Sequence, residues 1–172
     1  MRWEALFEDL QAQLEAAERA EDDELVAELT EAEMGGTTLA DRLRARLGAD
    51  VRLRLRSGID VTGTVLDAAP QWLLVGDPQE RRHLVPTEAV QAAWPLGPVA
   101  PEAGTVEKHL RITHALRALA REGARVRVRC DAGDYTGWLT RVGADHVDVR
   151  PEPPAPATVT VALAAVVLVS TL

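Results

Sequence analysis

Apolar residues and arginines alternate in two stretches of the chain, and this alternation predicts β-strands. In the stretch VRLRLR, which begins at Val51, every second residue is aliphatic and the residues between them are arginines. The same pattern returns in VRVRC, which begins at Val126. Successive side chains of a strand point to opposite faces, so each stretch should have one buried face and one Arg-lined outer face.

The chain repeats itself at a spacing of about 75 residues, which is its strongest signal. Residues 51–63 match residues 126–137, so that Gly63 corresponds to Gly137. Because five short strands cannot cover two faces as a flat sheet, we expect each copy to curl into a small barrel that bends at these two glycines. Turn residues place the remaining strands of the first copy at 60–67, 71–76, 82–86 and 89–94.

Segments with a helical apolar period precede the two copies. From Trp3 to about Glu33 the chain consists of strong helix formers without Gly or Pro, so a long amphipathic helix is expected there. A short helix should begin at Thr38 and stop at Gly48, and another short helix should stop at Gly123.

Together these elements predict an α+β fold class that is mainly β. We expect two tandem five-stranded small barrels, each preceded by a short helix, and a long acidic amphipathic helix at the N-terminus. The predicted boundaries are 1–36 for the acidic helix, 37–94 for the first barrel, 95–106 for a Pro- and Gly-rich linker, and 107–172 for the second barrel.

The net charge of −8 is concentrated at the N-terminus. Residues 1–37 carry a charge of −10, whereas residues 38–172 carry +2. The longest apolar run, residues 159–172, is shorter than the roughly 20 residues that a membrane-spanning helix needs. The N-terminus does not have the pattern of a signal peptide. We therefore expect a cytoplasmic protein without membrane contact.

Candidate catalytic and metal-binding residues are few. The single cysteine, Cys130, excludes an internal disulfide and a Cys-based zinc site, and its position in the repeat predicts a small buried hydrophobe. Because nucleophile elbows, phosphate loops and paired carboxylates are absent, we predict no enzymatic activity, no metal and no cofactor. Four histidines lack acidic residues at ligand spacing and are expected at the surface: His83, His109, His114 and His146.

The motif V-x-L-x-L-x-x-G-x-x-x-x-G after a helix, followed later by LVPTEAV, resembles the Sm and Sm-like proteins. The likeness covers residues 38–94 and 109–170 and implies SH3-like small barrels. The layout is also similar to small actinobacterial proteins labelled Fis-like transcription regulators, although residues 159–172 have a strand pattern and not that of a helix-turn-helix. The loops at 67–72 and 141–146 do not keep the RNA-binding signature of Sm-like proteins, so the resemblance implies the fold without that site.

The preferred function is a non-catalytic assembly or adaptor protein. It would self-associate, or bind a protein partner, through edge strands and a docking helix at the N-terminus. The last segment, 159–169, is apolar on both faces and therefore needs cover on both. The predicted interface residues are Trp3, Phe7, Leu10, Leu14, Val159, Val161, Val167 and Val169.

The alternative function is a regulator that binds RNA or DNA. Arg-lined strand faces would contact the phosphates, and the acidic helix would mask them. The absence of interleaved aromatic residues argues against stacking on single strands. The candidate residues are Arg52, Arg54, Arg56, Arg81, Arg82, Arg125, Arg127 and Arg129.

Overall fold

The computed structural model describes residues 16, 19–20, 22–29, 31, 35–97, 103–154 and 157–172. The chain divides into two compact units, residues 1–37 and residues 38–172. The described residues between 16 and 36 are helical, and most of the predicted acidic helix 1–36 lies outside the described residues.

Residues 38–172 form two halves with the same succession of five strands. In each half a single 3₁₀ turn, Thr87–Ala89 or Leu163–Ala165, separates the fourth strand from the fifth. The first half contains helix α1 (Leu39–Arg44) and strands β1 (Asp50–Leu55), β2 (Asp60–Ala69), β3 (Trp72–Gly76), β4 (Arg82–Pro86) and β5 (Val90–Trp94). The second half contains helices α2 (Thr105–His109) and α3 (Ile112–Glu122) and strands β6 (Arg125–Cys130), β7 (Gly133–Val142), β8 (His146–Pro151), β9 (Val159–Ala162) and β10 (Val166–Thr171).

The local sequence accounts for these elements. The aliphatic positions of β1 are buried and its arginines are exposed, which confirms the two-residue period. α1 begins after Thr38, whose hydroxyl accepts from the Asp41 amide while the Asp41 carboxylate accepts from the Thr38 amide. α3 ends at Gly123, whose φ of +65° is the left-handed conformation that glycine adopts without strain.

All ten strands belong to one antiparallel sheet with the order β5-β1-β2-β3-β4-β10-β6-β7-β8-β9. Each half contributes its strands in the same internal order, with its fifth strand first and its fourth strand last. The fourth strand of the first half, β4, pairs with the fifth strand of the second half, β10. The sheet therefore ends at β5 on one side and at β9 on the other.

The predicted fold class is wrong in its main feature, because the strands form one open sheet and not two five-stranded barrels. The helices with defined bounds are short, and the longest of them, α3, has 11 residues. β10 explains the difference. Residues 166–170 of this strand are all buried, so the strand needs cover on both faces and a partner at each edge. A separate second barrel would leave one edge of β10 open, whereas pairing with β4 closes it.

Two hydrophobic cores form, and each takes side chains from both halves. The core of the first half includes Val167 and Leu168 of β10. The core of the second half includes Trp72 and Leu84 from β3 and β4. The Trp72 indole also donates its N–H to the Leu110 carbonyl at 3.0 Å. Because the cores exchange side chains, neither half holds a complete core of its own.

Gly63 and Gly137 lie where a neighbouring strand approaches closely. A Cβ atom on Gly63 would lie 2.1 Å from the Gly76 carbonyl oxygen, and one on Gly137 would lie 2.0 Å from the Arg150 carbonyl oxygen. The register shifts of β2 and β7 come three residues beyond these glycines. The two glycines are therefore needed for the close approach of neighbouring backbones, and the predicted bend at these positions stays a prediction.

Candidate functional site

The structure places the predicted interface residues in different environments. Val167 and Val169 are buried within the chain in β10. In β9, Val161 is buried and Val159 is half-buried. Among the described strands β9 is the last on its side of the sheet, so these two valines lie beside an edge that no described strand covers, here called a free edge. The remaining predicted interface residues lie outside the described part of the chain: Trp3, Phe7, Leu10 and Leu14.

β4 and β10 meet at a short junction that combines apolar and polar contacts. Leu84 faces Val169 across the two strands, and each side chain is 1% exposed. Next to them His83 faces Ser170, with Ser170 Oγ 2.8 Å from His83 Nδ1. The junction thus joins the two halves through backbone pairing, apolar burial and a side-chain hydrogen bond.

A further contact between the halves comes from Arg56, one of the predicted nucleic-acid-binding residues. Its Nη2 donates to the carbonyl oxygens of Ala164 at 2.7 Å and Val166 at 3.0 Å. Its Nε lies 3.2 Å from Asp131 Oδ1. The two carbonyls belong to the 3₁₀ turn before β10 and to the start of β10, so Arg56 holds this segment against the first half.

The free strands β5 and β9 are the repeat equivalents of the strands at the junction. When the halves are aligned on their 3₁₀ turns, β9 corresponds to β4 and β5 corresponds to β10. The backbone supports this alignment, since φ and ψ are −60° and 131° at Pro86 and −65° and 131° at Ala162. The sheet therefore exposes one fourth strand and one fifth strand, the same kinds of strand that it joins internally.

Residues buried at the junction have exposed counterparts on the free edges. Leu84 of β4 is 1% exposed, and its counterpart in β9 is the exposed Thr160. Leu168 of β10 is 3% exposed, and its counterpart in β5 is the exposed Ala92. The free edges thus share the backbone conformation of the junction strands, but no described strand pairs with them.

Neither free edge carries the charges that usually protect an edge strand. β5 reads VQAAW and β9 reads VTVA, without charged residues or proline. Trp94 at the end of β5 is 40% exposed, and the Arg52 guanidinium lies 5.1 Å from its ring centroid. Aromatic residues and arginine are enriched at protein interfaces. These edges are suited to accepting a strand from another chain.

The predicted nucleic-acid-binding arginines are mostly paired with acidic side chains. Arg54 and Arg52 both hydrogen-bond to Asp60, which holds the pKa of that carboxyl well below its usual range. Arg127 has no acidic partner among the described residues, and it is half-buried. This pairing offsets the charge that phosphate contacts would use, so nucleic-acid binding stays a prediction. The other five form the pairs Arg56–Asp131, Arg81–Asp77, Arg82–Glu122, Arg125–Glu152 and Arg129–Asp134.

Sequence reasoning missed a polar network at the junction. His83, expected at the surface, has a side chain only 13% exposed, and its Nε2 lies 3.1 Å from Asp77 Oδ2. Burial raises the pKa of Asp77, but hydrogen bonds from His83 and Arg81 outweigh burial and lower the pKa to about 2. The only sequence signal for the network is Ser170, a hydroxyl that follows the apolar run VVLV.

The remaining candidate chemistry is sparse. Among the described residues, no group of His, Cys, Asp and Glu side chains could hold a metal ion. Cys130 is half-buried against the second core, and burial is the main cause that raises the pKa of its thiol. No helix in the described part of the chain is long and apolar enough to cross a membrane. The chain matches no protein-family model and no curated protein sequence.

Proposed function

We propose that the protein is a non-catalytic assembly or adaptor protein that self-associates by pairing β9 of one copy with β5 of the next. The observation that carries this proposal is the β4–β10 junction, which pairs a fourth strand with a fifth strand inside the chain. The free edges are one strand of each kind. Such a contact is heterologous, so copies add head to tail and close into a ring if the rotation between them allows it.

The internal junction supplies a register for the proposed contact. Transferred to the free edges, it places Ala93 opposite Thr160 and Trp94 opposite Val159. Trp94 would then bury its exposed indole against an aliphatic side chain, which is favourable for a large aromatic group. Because the edges are only five and four residues long, we expect a small interface and association at micromolar protein concentration.

The experiment blocks each edge separately with a lysine. Ala92→Lys places a charge where the junction buries Leu168, and Thr160→Lys places one where it buries Leu84. Light scattering should show oligomers for the wild-type chain and monomers of 18.6 kDa for each variant. A mixture of the two variants should form a one-to-one dimer, because each supplies the intact edge that the other lacks. Thr140→Lys, an exposed substitution on the interior strand β7, is the matched control and should assemble like wild type.

The mixing experiment separates the proposed contact from other kinds of association. A two-fold contact between two β5 edges, or between two β9 edges, would leave one of the variants able to dimerise alone. A wild-type chain that stays monomeric at micromolar concentration would contradict the proposal. Docking of a protein partner through residues 1–36 stays a separate prediction, since it uses a different part of the chain.

A further inference from the structure

A groove of about 450 Å³ lies beside the junction of β4 and β10. Its walls come from the start of β2, the turn between β3 and β4, and strands β6 and β10. Arg81, Arg127 and Arg129 line it together with His83 and Ser170. The groove thus contains three of the eight arginines that were predicted to bind nucleic acid. Its volume is in the range of small-ligand sites.

Polar side chains form a row across three neighbouring strands in this groove. His83 of β4 faces Ser170 of β10, and Ser170 faces Arg127 of β6. Residues opposite each other in paired strands share a face of the sheet, so these three groups lie on one side. Arg129 lies two residues further along β6 and therefore on the same side.

The side chains that line the groove include three arginines and two aspartates, although the chain as a whole carries a net charge of −8. Both aspartates, Asp60 and Asp77, already pair with arginines. Arg129 lies 3.4 Å from Asp134. That leaves Arg127, half-buried and without an acidic partner among the described residues. A partly buried guanidinium is more stable with a counter-charge, and an anion in the groove would supply it.

The repeat indicates that this polar row is not required by the fold. At the equivalent position Arg52 faces Trp94 and stacks on its ring. The counterpart of His83 in the repeat is Val159 on the free edge of β9. Arg52 and Trp94 of the first half and Val159 of the second half are thus the repeat counterparts of Arg127, Ser170 and His83, and only Arg52 keeps the polar residue. The polar row belongs to the groove alone.

We propose that the groove binds a small organic phosphate, with the phosphate held by Arg127 and with Ser170 and Arg129 beside it. The guanidinium fork presents paired N–H donors that match phosphate oxygens. No Trp, Tyr or Phe is among the described residues that line the groove, so a sugar phosphate suits it better than a nucleobase that needs stacking. Val61 and Leu168 provide an apolar wall for the carbon skeleton.

The test titrates the full chain with ribose 5-phosphate by calorimetry. The expected result is one site per chain, with no binding of ribose and weaker binding of acetate. Arg127→Gln should weaken binding by about tenfold to a hundredfold, because a charge-assisted hydrogen bond is lost. Arg141→Gln removes an exposed arginine from β7 and is the matched control, which should bind like wild type.

Several results would overturn this site. They are no binding of ribose 5-phosphate, equal weakening by both substitutions, acetate binding as tight as phosphate binding, or binding of an oligothymidine strand alone. If the Arg127→Gln chain does not fold, a measurement on the wild-type chain still tests the proposal. The backbone amides of Arg127 and Ser170 must shift in nuclear magnetic resonance spectra during the titration while that of Arg141 stays in place, and unchanged spectra would contradict the proposal.

Discussion

Substitution of Gly137 by alanine should destabilise the sheet through a direct clash between backbones. The added Cβ would lie 2.0 Å from the Arg150 carbonyl oxygen, 2.7 Å from the Arg150 carbonyl carbon and 2.8 Å from Pro151 Cα. All three atoms belong to the main chain of β8, so no side-chain rotation relieves the contact. The oxygen alone is 1.0 Å closer than the 3.0 Å below which such contacts essentially never occur. β8 must therefore move away from β7.

The magnitude follows from this geometry. Overpacking of a well-packed site typically costs about 1–3 kcal/mol. Because the clash involves backbone atoms of a paired strand, we expect the upper end, about 3 kcal/mol. A loss of this size lowers the melting temperature of a chain of this length by about 6–12 °C. It is also a large share of the roughly 5–15 kcal/mol that stabilises a typical domain.

The assay is urea denaturation followed by far-ultraviolet circular dichroism, with Gly97→Ala as the matched control. A Cβ on Gly97 meets nothing within 4 Å, and its φ is not in the left-handed range. We therefore expect the control to change the free energy of unfolding by less than about 0.5 kcal/mol. Equal stability of the Gly137→Ala chain and the control would refute the close approach of β7 and β8.

Two further predictions concern the junction between the halves. Arg56→Met should lower the free energy of unfolding by about 2 kcal/mol, because two carbonyl groups at β10 lose a charged donor. Arg54→Met removes only an exposed ion pair with Asp60 and should lower the free energy of unfolding by less. Equal losses of this free energy for the two variants in urea denaturation would count against the role of Arg56. The pKa of Asp77 is lowered to about 2, so its ionised carboxylate stabilises the fold at pH values above the ordinary Asp pKa. This contribution is lost as the pH falls from about 4 towards 2. In the Asp77→Asn chain the free energy of unfolding should therefore change less with pH in that window. An unchanged slope of this free energy against pH would show that Asp77 is not the group responsible.

Local sequence predicted the elements well because the signals for them are local. The alternation of Val51, Leu53 and Leu55 with arginines placed β1, and the turn glycine at 123 placed the end of α3. The repeat also placed matching strands in both halves. These features depend on neighbouring residues, so the surrounding fold does not change them.

The pairing of β4 with β10 could not be predicted in the same way. The apolar faces of residues 159–169 indicated that the last segment needs cover, but the partner of β10 is set by tertiary packing between distant segments. The polar network of His83 and Ser170 could not be predicted for the same reason. His83 and Ser170 are 87 residues apart in the chain and come together only through the register of the two strands.

Disulfide cross-linking between two copies tests most directly whether the junction recurs between chains. One chain carries Trp94→Cys, the other carries Val159→Cys, and both carry Cys130→Ala to remove the native thiol. Residues directly opposite in antiparallel strands have Cα atoms about 4.5–5.5 Å apart, which suits a disulfide. The proposed register predicts a cross-linked dimer from the mixture under mild oxidation. Failure of the mixture to cross-link, or equal cross-linking when Thr140→Cys replaces Val159→Cys, would contradict it.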